Sequence, residues 1–472
     1  MKKLLSIFLV FALFIGIAAV GAASAFAENE EEESAAESAI PTVYLGGYGM
    51  ELYLFDSIYD RWDPVLYDAI FSVVEELPAV LKALVLDIFL HPLTALRFRN
   101  RLADALSDLC MDNLGILSCD ENGDSIHPVT NTFLNDEQFE APEWYEGDDW
   151  KFANEYEFNF DWRLDPMQSA RKLDAFIQKV KEATGSGTVH LYALSFGGVI
   201  CCAYLEQFGT KDLESLFLFQ SAHGGMTMAE ELAQKKFAVS AKGLGAFIGW
   251  EQKAWYKVLK YTGLLRFAEW LLNTGLRRIR DRFYEKAVVP LLVQMPGTWG
   301  FITDDFAFEN AKQLLLTDTD RYAGLIAKID DYHYRVGNRS NEILREAADE
   351  IKLALMCGYN LAPIPLGGTF LYQSDFMIGT ARASGGAVCA DYGKALPKEY
   401  VQANQDGHNH MSDDRVIDAS TCALPEQTWF IKDLEHFYTY DGWGMYDWFL
   451  GFSGQPTVWS DLAFPQFRGI WD

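Results

Sequence analysis

Short apolar runs alternate with amphipathic stretches along most of the chain. "IPTVYLGGYG" at residues 40–49 is apolar and ends on Gly46, Gly47 and Gly49, the pattern of a buried strand running into a turn. From about Pro64 to Leu109 leucines recur at helical spacing, notably in "VLKALVLDIFLHPLTALRF". "YEFNFDW" predicts the next strand, and "PMQSARKLDAFIQKVKEATG" predicts an amphipathic helix stopped by Gly185. "TVHLYALS" predicts a third strand, a glycine-rich helix follows from Gly197, and "LESLFLFQSA" predicts a fourth strand. The strand pattern returns later in "IKLALMCGYN", "TFLYQSDFMI" and "TWFIKDL". Short apolar strands separated by helices predict an α/β domain with a mainly parallel sheet covered on both faces.

Between the fourth and fifth of these strands the pattern changes. From about His223 to Arg345 the chain is aromatic, basic and helical, with no segment that reads as a sheet strand. This predicts a large helical cap or lid, residues 223–345, inserted between two parts of one core at residues 41–222 and 346–472. No internal repeat is present.

Composition adds a compartment and a core size. A chain of 472 residues that is 50% hydrophobic and 14% aromatic is able to bury a large core. Lys2 and Lys3, the apolar run after them, and the small residues Ala25 and Ala27 form a secretory signal peptide over residues 1–27, with cleavage after Ala27. An uncleaved anchor is the alternative, because the run approaches the about 20 residues that span a bilayer. Residues 28–40 are acidic and Ala/Ser-rich, an expected disordered leader. No later segment stays uncharged long enough to span a bilayer, so the mature protein is expected to be secreted and soluble.

Seven cysteines on an exported chain permit disulfides, and the odd count leaves at least one thiol outside intrachain pairs. Cys110 and Cys119 are spaced to close a local loop, whereas Cys201 and Cys202 fall on a helix expected to be buried, as unreactive thiols. The net charge of −28 disfavours nucleic acid as a partner. From Lys235 to Lys286, however, twelve Lys and Arg face only Glu251, Glu269, Asp281 and Glu285.

The candidate chemistry centres on "TVHLYALSFGGVICCAYL", residues 188–205. A serine at a sharp strand-to-helix turn adopts a strained conformation, and the residues two before and two after must be small for strand and helix to pack. Ala193 and Gly197 meet that need around Ser195, although the usual pattern has glycine at the first position. A serine hydroxyl needs a base, and the base needs an acid to fix its tautomer, in the chain order serine, acid, histidine. The histidines after Ser195 are His223, His333, His408, His410 and His436. His436 follows the last predicted strand, in "TWFIKDLEHFY", and is the favoured base. His408 and His410 read as solvated loop residues, or as metal ligands beside Asp406 and Asp413, without zinc-type spacing. "MSDDRVIDAST" precedes the last strand and supplies Asp413 as the first choice of acid, Asp414 as the second and Asp418 as the third. Two backbone amides must receive the oxyanion, and the choices are Phe196, next to the nucleophile, and Tyr48, on the turn after the first strand. This chemistry needs neither metal nor organic cofactor.

Several stretches together resemble the lecithin:cholesterol acyltransferase family, which includes lysosomal phospholipase A2 and has the α/β-hydrolase fold. They are "FNFDWRLDP", "SAHGGM", "MPGTWGF", "SDDRVIDAST" and "DLEHF", in the family's order from about Pro41 to Phe437. The resemblance implies Ser195 as nucleophile, Asp413 as acid, His436 as base and the amides of Tyr48 and Phe196 as the oxyanion hole. It also implies a disulfide between Cys357 and Cys422. Ala193, Leu194, Ser412 and Arg415 depart from the family pattern, and the segment Lys235 to Lys286 has no match in it.

The expected function is that of a secreted phospholipase A or lipase acting on an acyl-ester lipid, with an alcohol as a second acceptor besides water. Phe237, Phe247, Trp250, Trp255, Tyr256, Tyr261, Phe267 and Trp270 lie among the basic residues of the cap, the composition of an interfacial anchor or of the cap's own core. A carboxylesterase for soluble esters and a non-catalytic exported binding protein are the alternatives.

Overall fold

Six of the seven strand runs read from the sequence enter one seven-stranded sheet in which every pairing is parallel. The computed structural model describes residues 40–470 apart from 60, 91–97, 141–153, most of 237–279, 366–367, 370 and 437–443. The expected signal peptide, nearly all of the expected acidic leader, and the aromatic residues of the basic segment from Phe237 to Trp270 lie outside the described residues. Among the described residues no helix is long and apolar enough to cross a membrane.

In chain order the strands are β1 (Thr42–Leu45), β2 (Tyr53–Asp56), β3 (Arg61–Pro64), β4 (Val129–Thr130), β5 (Glu155–Phe158) and β6 (Val189–Leu194). They continue with β7 (Leu213–Phe219), β8 (Lys352–Tyr359), β9 (Val388–Cys389), β10 (Ile417–Asp418), β11 (Thr428–Lys432) and β12 (Phe467–Gly469). The central sheet has the order β12-β11-β8-β7-β6-β1-β5, while β3-β2-β4 and β10-β9 form small separate sheets. The chain leaves β1 towards β5 on one side and leaves β6 towards β7 on the other. Between these neighbours the order therefore reverses, which opens a crevice at their carboxyl ends.

Alternation along the central strands explains why they read as continuous apolar runs. Leu216 and Leu218 of β7, with Leu353 and Leu355 of β8, enter one core. Phe217, Phe219, Ala354 and Met356 enter a second core with Trp429, Met445 and Phe449. Both faces are thus buried, and the helix Met445–Gly451 contributes to the cover of the second.

Local signals set the flanking helices. The helix Pro166–Thr184 starts with proline in its first turn and Asp165 accepting from Met167 N–H at 2.9 Å, and ends on Gly185 at φ 72°. It packs against the helix Gly197–Phe208. The described part of the insertion between β7 and β8 holds helices, including Asp305–Leu315, Ala323–Arg335 and Ser340–Ala348, and no strand. Ala323–Arg335 packs on Pro166–Thr184, and Ser340–Ala348 packs on Gly197–Phe208 and β8, so these two extend the layer flanking the sheet.

"TFLYQSDFMI" departs from the strand expectation. Its described residues form a loop with single bridges of Ser374 to Leu361 and to Gly379. The cause is Asp375, whose Oδ1 accepts from the amides of Met377 at 2.9 Å and Ile378 at 2.7 Å. Those bonds give the backbone a local alternative to a ladder. Sequence reading also missed β12, which is too short to carry a periodicity.

Candidate active site

Ser195 occupies the turn between β6 and the helix that begins at Gly197, with φ at 52°. This is left-handed backbone for a residue with a side chain, a strained state that persists only where its surroundings enforce it. The end of β7 and the residues after it enforce it from both sides: Ser195 N–H donates to the Phe219 carbonyl at 3.1 Å, and the Ser195 carbonyl accepts from Ala222 N–H at 2.9 Å. Gly197 is required by contact, since a Cβ there would lie 2.9 Å from both the carbonyl oxygen and Cβ of Leu45. Ala193 is fully buried.

His436 lies on the loop after β11, and its Nε2 stands 3.0 Å from Ser195 Oγ. Its Nδ1 is 2.8 Å from Oδ2 of Asp375, and its N–H donates to the Asp375 carbonyl at 2.8 Å. All three residues are buried. Asp375 Oδ1 is held by the two amides of its own loop, which leaves Oδ2 aimed at the imidazole. A hydroxyl, an imidazole and a carboxylate are therefore in hydrogen-bonded line, in the chain order serine, aspartate, histidine, the arrangement that nucleophilic serine catalysis needs.

The carboxylate beside His436 is that of Asp375, and none of the three sequence candidates stands there. Asp413 is exposed. Asp414 pairs with Lys432 Nζ at 2.8 Å, and that cation together with Ser412 holds its carboxyl below the usual range. Asp418 Oδ2 accepts from Tyr400 Oη and the Ala403 amide, both at 2.8 Å. Asp414 and Asp418 are thus held by partners other than His436. The available sequence signal for Asp375 was an acidic residue interrupting an apolar run just past β8.

The other histidines are engaged elsewhere. His408 stacks on Trp459 with ring centroids 4.9 Å apart, and His410 bonds Asp406 and Gln466 at 2.8 and 3.0 Å. His333 lies between the Ile302 carbonyl and Asp305. Among the described residues no three His, Cys, Asp or Glu side chains converge as a metal site. All seven cysteines are free, including Cys357 and Cys422, so the disulfide implied by the resemblance is not made in this structure. Burial pushes both thiols well up.

The turn after β1 comes close to the serine: a Cβ on Gly47 would lie 3.2 Å from Ser195 Cβ. Tyr48 follows it, and neither its amide nor that of Phe196 donates to a carbonyl among the described residues. The rings of Tyr48 and Phe196 pack edge to face at 5.5 Å, and Phe301 closes on them at 5.1 and 5.0 Å. Tyr48 Oη is 2.9 Å from Thr298 Oγ1, and burial raises its phenol. The "MPGTWGF" segment therefore forms the wall behind the two candidate amides. Gly297 makes this possible, because a Cβ there would meet the Trp162 carbonyl at 1.9 Å. Beyond that wall lies a cavity of about 50 Å³, lined by apolar residues that include Met226, Met228, Leu232, Leu292, Trp299 and Phe301.

"FNFDWRLDP" has a structural part beside this wall. Arg163 is fully buried and forks onto Asp161 through Nε at 2.9 Å and Nη2 at 2.6 Å. Its remaining donors reach the carbonyls of Leu117 and Val129 and the hydroxyl of Ser125.

Backbone strain gathers at the same place. Of the seven described non-glycine residues with positive φ, five are Ser195, Gln220, Asn360, Phe376 and Asp433, which are the serine itself, neighbours of Asp375 and His436, and strand ends beside them. Such clustering is typical of functional sites. No protein-family model matches the chain, and no curated protein aligns with it.

Proposed function

We propose that this protein is a secreted α/β-hydrolase whose helical insertion acts as a cap, and that it hydrolyses or transfers the acyl group of a lipid ester through Ser195. The observation that carries this reading is the hydrogen-bonded line from Ser195 Oγ to His436 Nε2 at 3.0 Å and from His436 Nδ1 to Asp375 at 2.8 Å. Ser195 Oγ attacks the ester carbonyl as His436 Nε2 takes its proton, and Asp375 stabilises the resulting imidazolium. The amides of Phe196 and Tyr48 receive the negative oxygen of the tetrahedral intermediate. His436 then returns the proton to the departing alcohol, leaving an acyl ester on Ser195. Water or a second alcohol, deprotonated by His436, releases the acyl group and restores the serine.

The resemblance to the lecithin:cholesterol acyltransferase family supports a lipid ester as substrate and the possibility of transfer, with the acid moved to Asp375. The test incubates wild type and Ser195→Ala with phosphatidylcholine vesicles, with and without a long-chain alcohol. Fatty acid or alkyl ester formed by the wild type alone supports the reading, and their ratio measures hydrolysis against transfer. A folded wild type that releases nothing from vesicles but cleaves soluble esters is a carboxylesterase. One that cleaves neither is a binding protein.

A further inference from the structure

Gln220 follows β7, is fully buried and has φ at 46°. Its N–H donates to the Met356 carbonyl at 2.8 Å, which pins it between β7 and β8. Its side-chain Nε2 donates to the carbonyl of Glu435, the residue before His436, at 2.9 Å. Its Oε1 has no partner among the described residues. The left-handed backbone would strain any residue with a Cβ here, but the unsatisfied oxygen costs stability that an apolar side chain would not. What the amide adds is the bond to Glu435.

That bond joins two frames. Residues 219–222 hold the backbone of Ser195, through Phe219 at 3.1 Å and Ala222 at 2.9 Å. The histidine loop is fixed at its start by Asp433, which bonds Tyr359 at 2.9 Å and Asn360 at 2.6 Å, and at its end by Asp375. Asp433 lies three residues before the imidazole, and Asp375 is itself a partner of it. Gln220 ties the histidine loop directly to the segment holding the serine. Space is tight at this junction: a Cβ on Gly358 would meet the Leu434 carbonyl at 2.6 Å, Asp375 Cβ at 2.9 Å and Gln220 Oε1 at 3.0 Å.

We propose that Gln220 is a positioning residue, whose side-chain amide sets the depth at which His436 meets Ser195. The proposal rests on the reading of Ser195, His436 and Asp375 given above, and the test separates the two. Gln220→Met keeps length without a donor, and Gln220→Glu keeps shape while placing an acceptor against the Glu435 carbonyl. For each folded variant two quantities are read: the low-field proton resonance of His436 Nδ1–H, and kcat and KM on a p-nitrophenyl ester. The resonance should shift or broaden, and kcat should fall by about tenfold or more with KM within about twofold, as misplacement of a base predicts. A variant with wild-type resonance and kcat within about twofold overturns the proposal. A wild type that shows the resonance, loses it in both variants and yet cleaves no ester upholds the positioning role and overturns the catalytic reading.

Discussion

His436 Nδ1 and Asp375 Oδ2 lie 2.8 Å apart, although 61 positions separate them in the chain. Three strand ends create the meeting with Ser195: the loop after β6 brings the serine, that after β8 the carboxylate and that after β11 the imidazole. Because β6, β7, β8 and β11 are parallel neighbours in that order, these loops emerge on one edge of the sheet. The fold thereby converts distant residues into one hydrogen-bonded line.

Gly197 carries the packing of the elbow. In Gly197→Ala the new methyl meets Leu45 O at 2.9 Å and Gly46 O at 3.0 Å, both backbone atoms that cannot swing aside. Overpacking of this kind costs about 1–3 kcal/mol. Urea denaturation should show that loss, and ester turnover should fall with it, because the displaced strand leads into the Gly46–Tyr48 turn.

Arg163→Met should cost more. The substitution leaves Asp161, which is 5% exposed, without its buried cation. Removing one partner of a buried pair costs about 3–5 kcal/mol. Urea denaturation measures this directly, and a loss below about 1 kcal/mol would show that solvent reaches the pair.

His223 predicts a contribution to acid sensitivity. Burial holds its pKa down at about 4, against about 6.5 in an unfolded chain. Between these values the unfolded chain binds a proton that the folded chain does not, so stability falls as pH is lowered from about 6.5 to about 4 and is unaffected above that window. At pH 4.5 the loss from this residue is about 2 kcal/mol relative to pH 7. In His223→Asn the difference in unfolding free energy between those two pH values should shrink by that amount.

Much of this was legible in the chain because it depends on short-range patterns. The runs of β6, β7, β8 and β11 are apolar on both faces, and Ala193, Ser195 and Gly197 announce the elbow by size alone. The carboxylate partner of His436 was not legible for a physical reason. Asp375 sits in "TFLYQSDFMI", which has a strand's composition, and its Oδ1 turns that run into a loop by capping Met377 and Ile378. Asp413, in a loop rich in acids, looked better suited until its surroundings were seen: it is exposed, while its neighbours Asp414 and Asp418 bind locally. The flanking role of residues 323–348 was hidden as well, since an amphipathic helix buries its face in the same way against a cap or a sheet.

The measurement that bears most directly on the account is covalent labelling by a fluorophosphonate, followed by identification of the modified peptide, in wild type, Asp375→Asn and Asp413→Asn. The account predicts a label on Ser195 in the wild type and in Asp413→Asn at similar rates, and labelling slowed by about a thousandfold or more in Asp375→Asn, as loss of the orienting carboxylate does to such a serine. Absence of label from folded wild type, or slowing by Asp413→Asn in place of Asp375→Asn, would contradict it.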